Sequence, residues 1–111
     1  MAALDEFEEF EIRPRHEGGV DVIEVEGELD LSTADQLERA IEEAGVAARV
    51  LLDFESCGFI DSSGLRVVVS HARKLRAAGG QLAVTNLRGE VAKIFELTGL
   101  LVDGSAVVHR G

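Results

Sequence analysis

The sequence has few of the residues that build covalent frameworks or bind polyanions. Its 111 residues include one cysteine, Cys57, which excludes an internal disulfide and favours a reducing compartment, the cytoplasm. Eleven basic residues stand against 21 acidic ones, and the formal net charge of −10 argues against nucleic acid or an anionic membrane as partner. No apolar run is long enough to span a membrane, and no basic segment followed by an apolar one opens the chain. We therefore expect neither a membrane span nor a signal peptide.

The sequence motifs of metal and nucleotide chemistry are also missing. One cysteine and three scattered histidines have no metal-ligand spacing, and no Gly-Lys-Ser/Thr sequence is present to form a phosphate-binding loop. We therefore expect neither a metal ion nor a cofactor. The carboxylates of Asp30 and Asp61 are explained more simply by loop and helix-cap roles than by paired catalysis. His71, which precedes the core-facing Ala72, is expected on the surface of a helix.

What the chain does contain is a regular alternation of strand and helix patterns. Gly18-Gly19 predicts a hairpin turn between the first two strands. Pro14 lacks an N–H group, which places the first strand at a sheet edge, and the very apolar segment 50–54 is expected at the centre. The predicted strands cover residues 10–15, 20–26, 50–54, 82–85 and 106–108.

Three helices are predicted from apolar residues at helical spacing. Ser32, with Asp35 three positions on, is expected to cap the first helix, and Asn86 is expected to cap the third. Glycines are expected to end the three helices, at Gly45, Gly79-Gly80 and Gly99. The predicted apolar faces comprise Leu37, Ala40, Ile41 and Ala44; Leu65, Val68, Val69, Ala72 and Leu75; and Val91, Ile94, Phe95 and Thr98.

Strands that alternate with helices require crossover connections, which join parallel strands. The sequence therefore predicts an α/β fold with one mixed sheet of about four to five strands, an antiparallel edge hairpin and three or four packed helices. Its length suits a single domain over residues 1–111. The first eleven residues contain five acids and no base, so we expect about residues 1–9 to form a frayed, solvated segment; an acidic docking surface is the alternative.

The stretch Asp61-Ser62-Ser63-Gly64 connects the central strand to the second helix. The two serines lie beside the unpaired N–H groups and the positive dipole end of that helix, and Gly64 would let another molecule approach the backbone. The simpler interpretation is that one serine is only an N-cap. Because the carboxyl ends of parallel strands meet at one edge of a sheet, residues 27–30, residues 61–64 and Asn86 are predicted to form one surface patch.

A serine between a strand and a helix also suggests a hydrolase, but the pattern does not match. A Gly-x-Ser-x-Gly motif centred on Ser62 would need glycine at Ile60, and one centred on Ser63 would need it at Asp61 and Leu65. No histidine has an evident route to either serine. Serine hydrolysis therefore stays a weak alternative, and we expect no enzymatic activity.

The residues around the serines resemble a known family, the STAS domains of the bacterial anti-sigma factor antagonist type. The match includes Asp53-Phe54-Glu55-Ser56-Cys57-Gly58-Phe59-Ile60-Asp61-Ser62-Ser63-Gly64-Leu65, the Gly-Glu-Leu-Asp loop at 27–30 and the helix at 91–100. These blocks occur in the family's order and span about residues 10–108. Cys57 departs from the family pattern, which usually has a branched aliphatic residue at that position.

The resemblance implies a single STAS domain that acts as a switch between proteins. Ser63 matches the serine that a partner kinase phosphorylates. The unphosphorylated form would bind an anti-sigma factor with serine kinase activity and free a sigma factor, and a phosphoserine phosphatase would reset the modified form. A STAS scaffold subunit of a signalling assembly, rarely phosphorylated, is the alternative. The predicted partner-binding residues are Glu28, Asp30, Asp61, Ser62, Ser63, Gly64, Leu65 and Asn86.

Overall fold

A computed structural model describes residues 9–98 and 107–109 of the chain. Within those residues it has six strands and three helices. They are β1 (Glu11–Glu17), β2 (Val20–Leu29), α1 (Ala34–Ala44), β3 (Arg49–Asp53), β4 (Cys57–Ile60), α2 (Ser62–Ala77), β5 (Gln81–Thr85), α3 (Gly89–Thr98) and β6 (Val107–His109). No helix in the described part is long and apolar enough to cross a bilayer. The acidic segment 1–8 and the predicted helix end at Gly99 lie outside the described residues.

The strands form one mixed sheet in the order β1-β2-β3-β5-β6. The β1–β2 hairpin is antiparallel, and the pairs β2–β3, β3–β5 and β5–β6 are parallel. Pro14 therefore lies in an edge strand of the described sheet, as expected for a residue without an N–H, and β3 lies in the middle of the order. The predicted α/β class, the antiparallel edge hairpin, the central strand and the final edge strand are confirmed.

The strand that the sequence did not predict is β4, which pairs in parallel with β2. β3 pairs with residues 21–24 of β2, whereas β4 pairs with residues 27–29 of the same strand. β3 and β4 are thus two pieces of one interrupted strand. At the break the Phe54 N–H donates to the Thr85 carbonyl at 3.0 Å and the Cys57 N–H donates to the Phe54 carbonyl at 3.0 Å. Because β4 follows the break, α2 begins further along the sheet than the end of β3.

The second strand also continues further than predicted. Residues 27–29, expected in a loop, belong to β2, and the register shifts between Gly27 and Glu28. Gly27 has φ of +102°, and a Cβ there would lie 3.1 Å from the Cα of Phe10, so the bulge requires glycine. The loop prediction was wrong because β4, which was not predicted, supplies partners for this part of β2.

The core lies between the sheet and the predicted apolar faces of the helices. Leu37 and Ile41 of α1, Val68 of α2 and Phe95 of α3 are fully buried, and the rings of Phe54 and Phe95 lie 5.6 Å apart. Cys57 belongs to this core, as its aliphatic-like position predicted. Burial, as the main cause, raises the pKa of its thiol.

Two predicted helix caps are wrong. α1 begins at Ala34 rather than after Ser32, because Asp30 binds both the N–H and the hydroxyl of Ser32 in the preceding turn. α3 begins at Gly89, three residues beyond Asn86, whose φ of 60° is left-handed. The predicted helix stops at Gly45 and Gly79 are confirmed, the latter by its φ of +95° next to the C-cap.

His71 is buried, with 4% of its surface exposed, so its predicted place on the helix surface is wrong. The buried stripe of α2 runs through Gly64, Val67, Val68, His71, Ala72 and Leu75. His71 completes this stripe at the spacing of i+3 and i+4, and its Nε2 atom lies 3.1 Å from the Glu38 Oε2 atom of α1. The position was misjudged because α1 packs on the side of α2 that carries His71.

Candidate functional site

The N-terminus of α2 is capped by Asp61 and not by either serine. Asp61 Oδ1 accepts hydrogen bonds from the N–H of Ser63 at 2.8 Å and of Gly64 at 3.1 Å. Its backbone is extended, as at most N-caps, with φ of −111° and ψ of −173°. The cap role expected for Asp61 is thus confirmed, and the simpler interpretation of Ser62 or Ser63 as the N-cap is wrong.

The same carboxylate joins the helix start to the end of β2. Asp61 Oδ2 accepts the N–H of Leu31 at 3.3 Å, and the Asp61 N–H donates to the Leu29 carbonyl at 3.1 Å. Asp61, which follows β4, therefore connects the start of α2 to the segment that follows β2. The segments 27–30 and 61–64, which were predicted to lie together, meet at this residue.

Asp30 organises the turn between β2 and α1. Its Oδ1 atom accepts the N–H of Ser32 at 3.0 Å and the Ser32 hydroxyl at 2.8 Å. The bond from the Ser32 hydroxyl is the main reason that the pKa of the Asp30 carboxyl is lowered. Thr33 completes the turn, because its hydroxyl accepts the Asp30 N–H at 2.9 Å and donates to the Glu28 carbonyl at 2.8 Å. The Asp30 carboxylate is thus ionised at neutral pH and held in one orientation.

Ser62 and Ser63 are the first two helical residues of α2, exposed and half-buried respectively. Neither hydroxyl makes a hydrogen bond within the part of the chain that the structure describes. Asp61 already satisfies the N–H groups that a capping serine would bind. Neither hydroxyl is therefore needed to cap the helix.

Gly64 has a packing role inside the protein. A Cβ on Gly64 would lie 2.6 Å from Leu29 Cγ and 2.9 Å from the Leu29 carbonyl oxygen. The expectation that Gly64 leaves room for another molecule is wrong, because Leu29 of β2 already fills that space. The glycine instead allows the first turn of α2 to approach β2 closely.

Comparison with known proteins agrees with this arrangement. A model of the STAS domain family matches residues 11–104. The chain belongs to the STAS domain family.

Among similar proteins is the anti-sigma-B factor antagonist of Listeria monocytogenes, 33% identical over 92 residues, which cover 81% of this chain and 80% of that protein. An anti-sigma factor antagonist from Mycobacterium paratuberculosis has a similar structure, with a TM-score of 0.77 and 28% identity, covering 91% of this chain and 86% of the other. The structure of the Bacillus cell fate determinant SpoIIAA in its phosphorylated form is also similar, with a TM-score of 0.70 and 26% identity. The match covers 93% of this chain and 91% of the other. The predicted resemblance is confirmed.

Asn86 lies apart from the other predicted site residues of this STAS domain. Its Nδ2 group donates to Asp53 Oδ1 at 3.0 Å, at the end of β3. Asp53 pairs with Glu24 of β2, whereas Ile60, next to Asp61, pairs with Leu29. Five residues of strand separate these levels, about 16 Å at the usual rise. The single-patch prediction is thus wrong for Asn86, because β4 extends the sheet beyond β3 and β5.

Two exposed apolar side chains on the segments next to Asp61 were missed by sequence reasoning. Leu31, whose N–H binds Asp61, is 79% exposed, and Phe59 of β4, which pairs with Glu28, is 44% exposed. Phe59 was assigned to a connection rather than to a strand, so no pattern indicated which way it faces. A contiguous exposed apolar patch rimmed by polar residues is typical of a protein-binding surface.

A shallow groove follows the outer face of α2 in this STAS domain. Its volume is about 560 Å³. The residues that line it are Ser62, Leu65, Arg66, Val69, Ser70, Arg73 and Lys74. Leu65 and Ser62, both predicted to contact a partner, thus share a surface with three basic residues of an otherwise acidic chain.

The two histidines whose side chains are described have partners away from the serines. His16 Nδ1 lies 3.0 Å from Asp21 Oδ1, and His71 Nε2 lies 3.1 Å from Glu38 Oε2. Neither is hydrogen-bonded to Ser62 or Ser63. A Ser–His pair, which a serine hydrolase of the usual type requires, is not formed by these two residues.

Proposed function

We propose that this protein is a cytoplasmic anti-sigma factor antagonist whose partner binding is switched off by phosphorylation of Ser63. The observation that carries the proposal is the position of this serine. It is the second residue of α2, its hydroxyl is not needed for capping, and it adjoins the segment 28–31. The names of the similar proteins, among them the Listeria antagonist, support the same function.

The unmodified surface suits tight protein contact. Leu31 and Phe59 supply exposed apolar area, and Ser62 and Ser63 at the start of α2 are small and neutral. A partner that packs over Ser63 can bury these apolar side chains without desolvating a charge at position 63. The anti-sigma factor would contact Glu28, Asp30 and Leu65 at the margin of this surface.

Phosphorylation would change the charge of the surface and leave the fold intact. A phosphoserine carries about −1.5 to −2 charges at neutral pH. The N–H groups of Ser63 and Gly64 already bind Asp61, so they do not receive the phosphate, and Asp61 and Asp30 repel it. Arg66 lies one helical turn on, and makes no ion pair with other described residues, so it is the cation available to the phosphate.

In the proposed cycle the antagonist is a substrate and not a catalyst. The anti-sigma factor acts as a serine kinase and transfers the γ-phosphoryl group of ATP to Ser63 Oγ. ADP leaves, and a base of the kinase accepts the hydroxyl proton. A phosphoserine phosphatase then hydrolyses the ester and restores the binding form.

The acceptor is tested by treating three proteins with the cognate anti-sigma kinase and ATP, followed by intact mass measurement. We expect one added phosphate on the wild type and on Ser62→Ala, and none on Ser63→Ala. Ser63→Ala should still bind the kinase, because the surface remains small and neutral. Modification of Ser63→Ala but not of Ser62→Ala would make Ser62 the acceptor. If neither serine is modified while binding persists, the scaffold alternative replaces the switch.

Asp30→Ala is expected to weaken kinase binding by about tenfold with a small change in melting temperature. The substitution removes the acceptor of the Ser32 N–H and hydroxyl, so the turn beside Ser63 loses its orientation. The turn is exposed at the surface, and its groups can hydrogen-bond to water instead. Affinity and thermal unfolding should be measured beside Glu43→Ala, an exposed charge-matched control on α1. A large fall in melting temperature with unchanged affinity would make Asp30 purely structural.

A further inference from the structure

Three potential metal ligands converge between α1 and α2. Glu38 and Glu42 lie one turn apart on α1, and His71 faces them from α2. One oxygen of each carboxylate and one ring nitrogen of the histidine all lie within 4.8 Å of one another. His71 Nε2 lies 3.1 Å from Glu38 Oε2.

The simpler interpretation is a hydrogen bond between a buried histidine and a carboxylate, which needs only Glu38 and His71. Glu42 is the residue that this interpretation leaves unexplained. Its carboxylate is directed at the pair but makes no hydrogen bond or ion pair with any residue that the structure describes. Lys74 lines the same space and is exposed, yet it does not pair with Glu42.

A cavity of about 310 Å³ lies next to this cluster, and Glu42 and His71, but not Glu38, line it together with Lys74 and mostly apolar residues. A water molecule in the liquid occupies about 30 Å³, so the cavity has room for an ion and several bound waters. The His71 ring is fixed by its burial, whereas Glu42 is exposed and can adjust. The cavity thus provides the open coordination positions that three protein ligands leave.

We propose that Glu38, Glu42 and His71 bind a divalent first-row transition ion, for which Zn²⁺ is the best match. Imidazole and carboxylate together suit such ions, whereas Mg²⁺ and Ca²⁺ prefer oxygen ligands alone. Ligand bonds of about 2.1 Å place tetrahedral ligand atoms about 3.4 Å apart. The distance between the Glu38 and His71 ligand atoms is already close to this value. A rotation of the Glu42 side chain would bring its carboxylate to a similar distance from both.

Binding has a defined proton balance. The ion needs the lone pair of His71 Nε2, so the ring carries its proton on Nδ1 or releases one proton to solvent. The two carboxylates bring two negative charges, which the ion neutralises in a chain of net charge −10. The positive charge of Lys74 opposes the ion, but its flexible stem can direct the ammonium group into solvent.

The ion would join the two helices without covering the phosphoacceptor. His71 lies eight residues after Ser63, about 12 Å along α2. Because the metal site is separate from the Ser63 surface, it is independent of the proposed switch.

The test is a titration of tag-free protein with ZnCl₂, followed by calorimetry and by thermal unfolding. For wild type we expect binding and a rise in melting temperature that EDTA reverses, and no comparable effect of MgCl₂. Glu42→Gln should fold as stably as wild type without metal but bind Zn²⁺ at least tenfold more weakly. Glu43→Gln, the adjacent exposed control, should bind like wild type.

Two results would overturn the site. One is the absence of wild-type binding up to about 1 mM Zn²⁺. The other is equal affinity of Glu42→Gln and wild type, which would assign any observed binding to other acidic groups and leave a plain His71–Glu38 hydrogen bond. Glu42 is the preferred variant because, unlike His71, it is exposed and its replacement does not disturb the core.

Discussion

Phosphorylation of Ser63 is expected to weaken binding of the anti-sigma partner by about a hundredfold or more. The new dianion would lie beside Asp61, whose carboxylate already holds the N–H groups of Ser63 and Gly64. A partner packed over this surface would have to desolvate the phosphate and would lose contact with Leu31 or Phe59. A hundredfold loss corresponds to about 2.7 kcal/mol, which two or three disrupted contacts supply.

The measurement compares partner affinity of the unmodified and the enzymatically phosphorylated protein by calorimetry. Ser63→Asp should reproduce part of the loss, because it adds one charge and fewer oxygens. Ser56→Asp is the matched control, since Ser56 is exposed at the break between β3 and β4 and lines a different groove. Its affinity should change less than twofold. Equal affinities of the phosphorylated and unmodified proteins would remove Ser63 as a switch.

Gly64→Ala is expected to lower the melting temperature by about 10 °C. The added methyl group would lie 2.6 Å from Leu29 Cγ and 2.9 Å from the Leu29 carbonyl oxygen, and both belong to a fully buried residue. Overpacking of this kind costs up to about 3 kcal/mol. Alanine regains about 1 kcal/mol of helix propensity, so the net loss is about 2 kcal/mol. A domain of this size loses about 4–8 °C per kcal/mol.

Gly58→Ala provides the control for Gly64→Ala, because nothing lies within 4 Å of a Cβ at Gly58 and its φ is not positive. Its stability should change by about 0.5 kcal/mol or less. Adding Leu29→Ala to Gly64→Ala should cost less than the sum of the single changes, because part of the clash disappears. Additive losses, or a Gly64→Ala protein as stable as wild type, would contradict the close approach of α2 to β2.

Local sequence signals predicted the hairpin, the central strand and the start of α2 because each depends on residues that are close in the chain. Gly18-Gly19 allows the tight turn, Pro14 suits only an edge, and the apolar run of β3 requires burial on both sides. The association of residues 27–30 with residues 61–64 followed from topology, since both segments end parallel strands.

The predictions that failed concern partners distant in sequence. Asp30 accepts a hydrogen bond from Ser32 in a turn, and Asn86 donates one to Asp53 at the end of the neighbouring strand. His71 lies at hydrogen-bond distance from Glu38 of α1. Each of these side chains has several local roles with similar energies, and packing selects among them. The spacing of His71 and Glu38, 33 positions apart, contains no metal motif, so the proposed ligand set is visible only after α1 and α2 pack together.

The sequence by itself determined the α/β class, the antiparallel edge, the burial of Cys57 and the position of the serines at a helix start. These properties depend on local backbone preferences and on the periodicity of apolar residues. Tertiary structure alone decided that Gly64 packs against Leu29, that His71 faces Glu38, and that Leu31 and Phe59 are exposed on the segments next to Asp61. The physical reason is β4, a four-residue strand whose partner, the end of β2, is distant in sequence and so leaves no local signal.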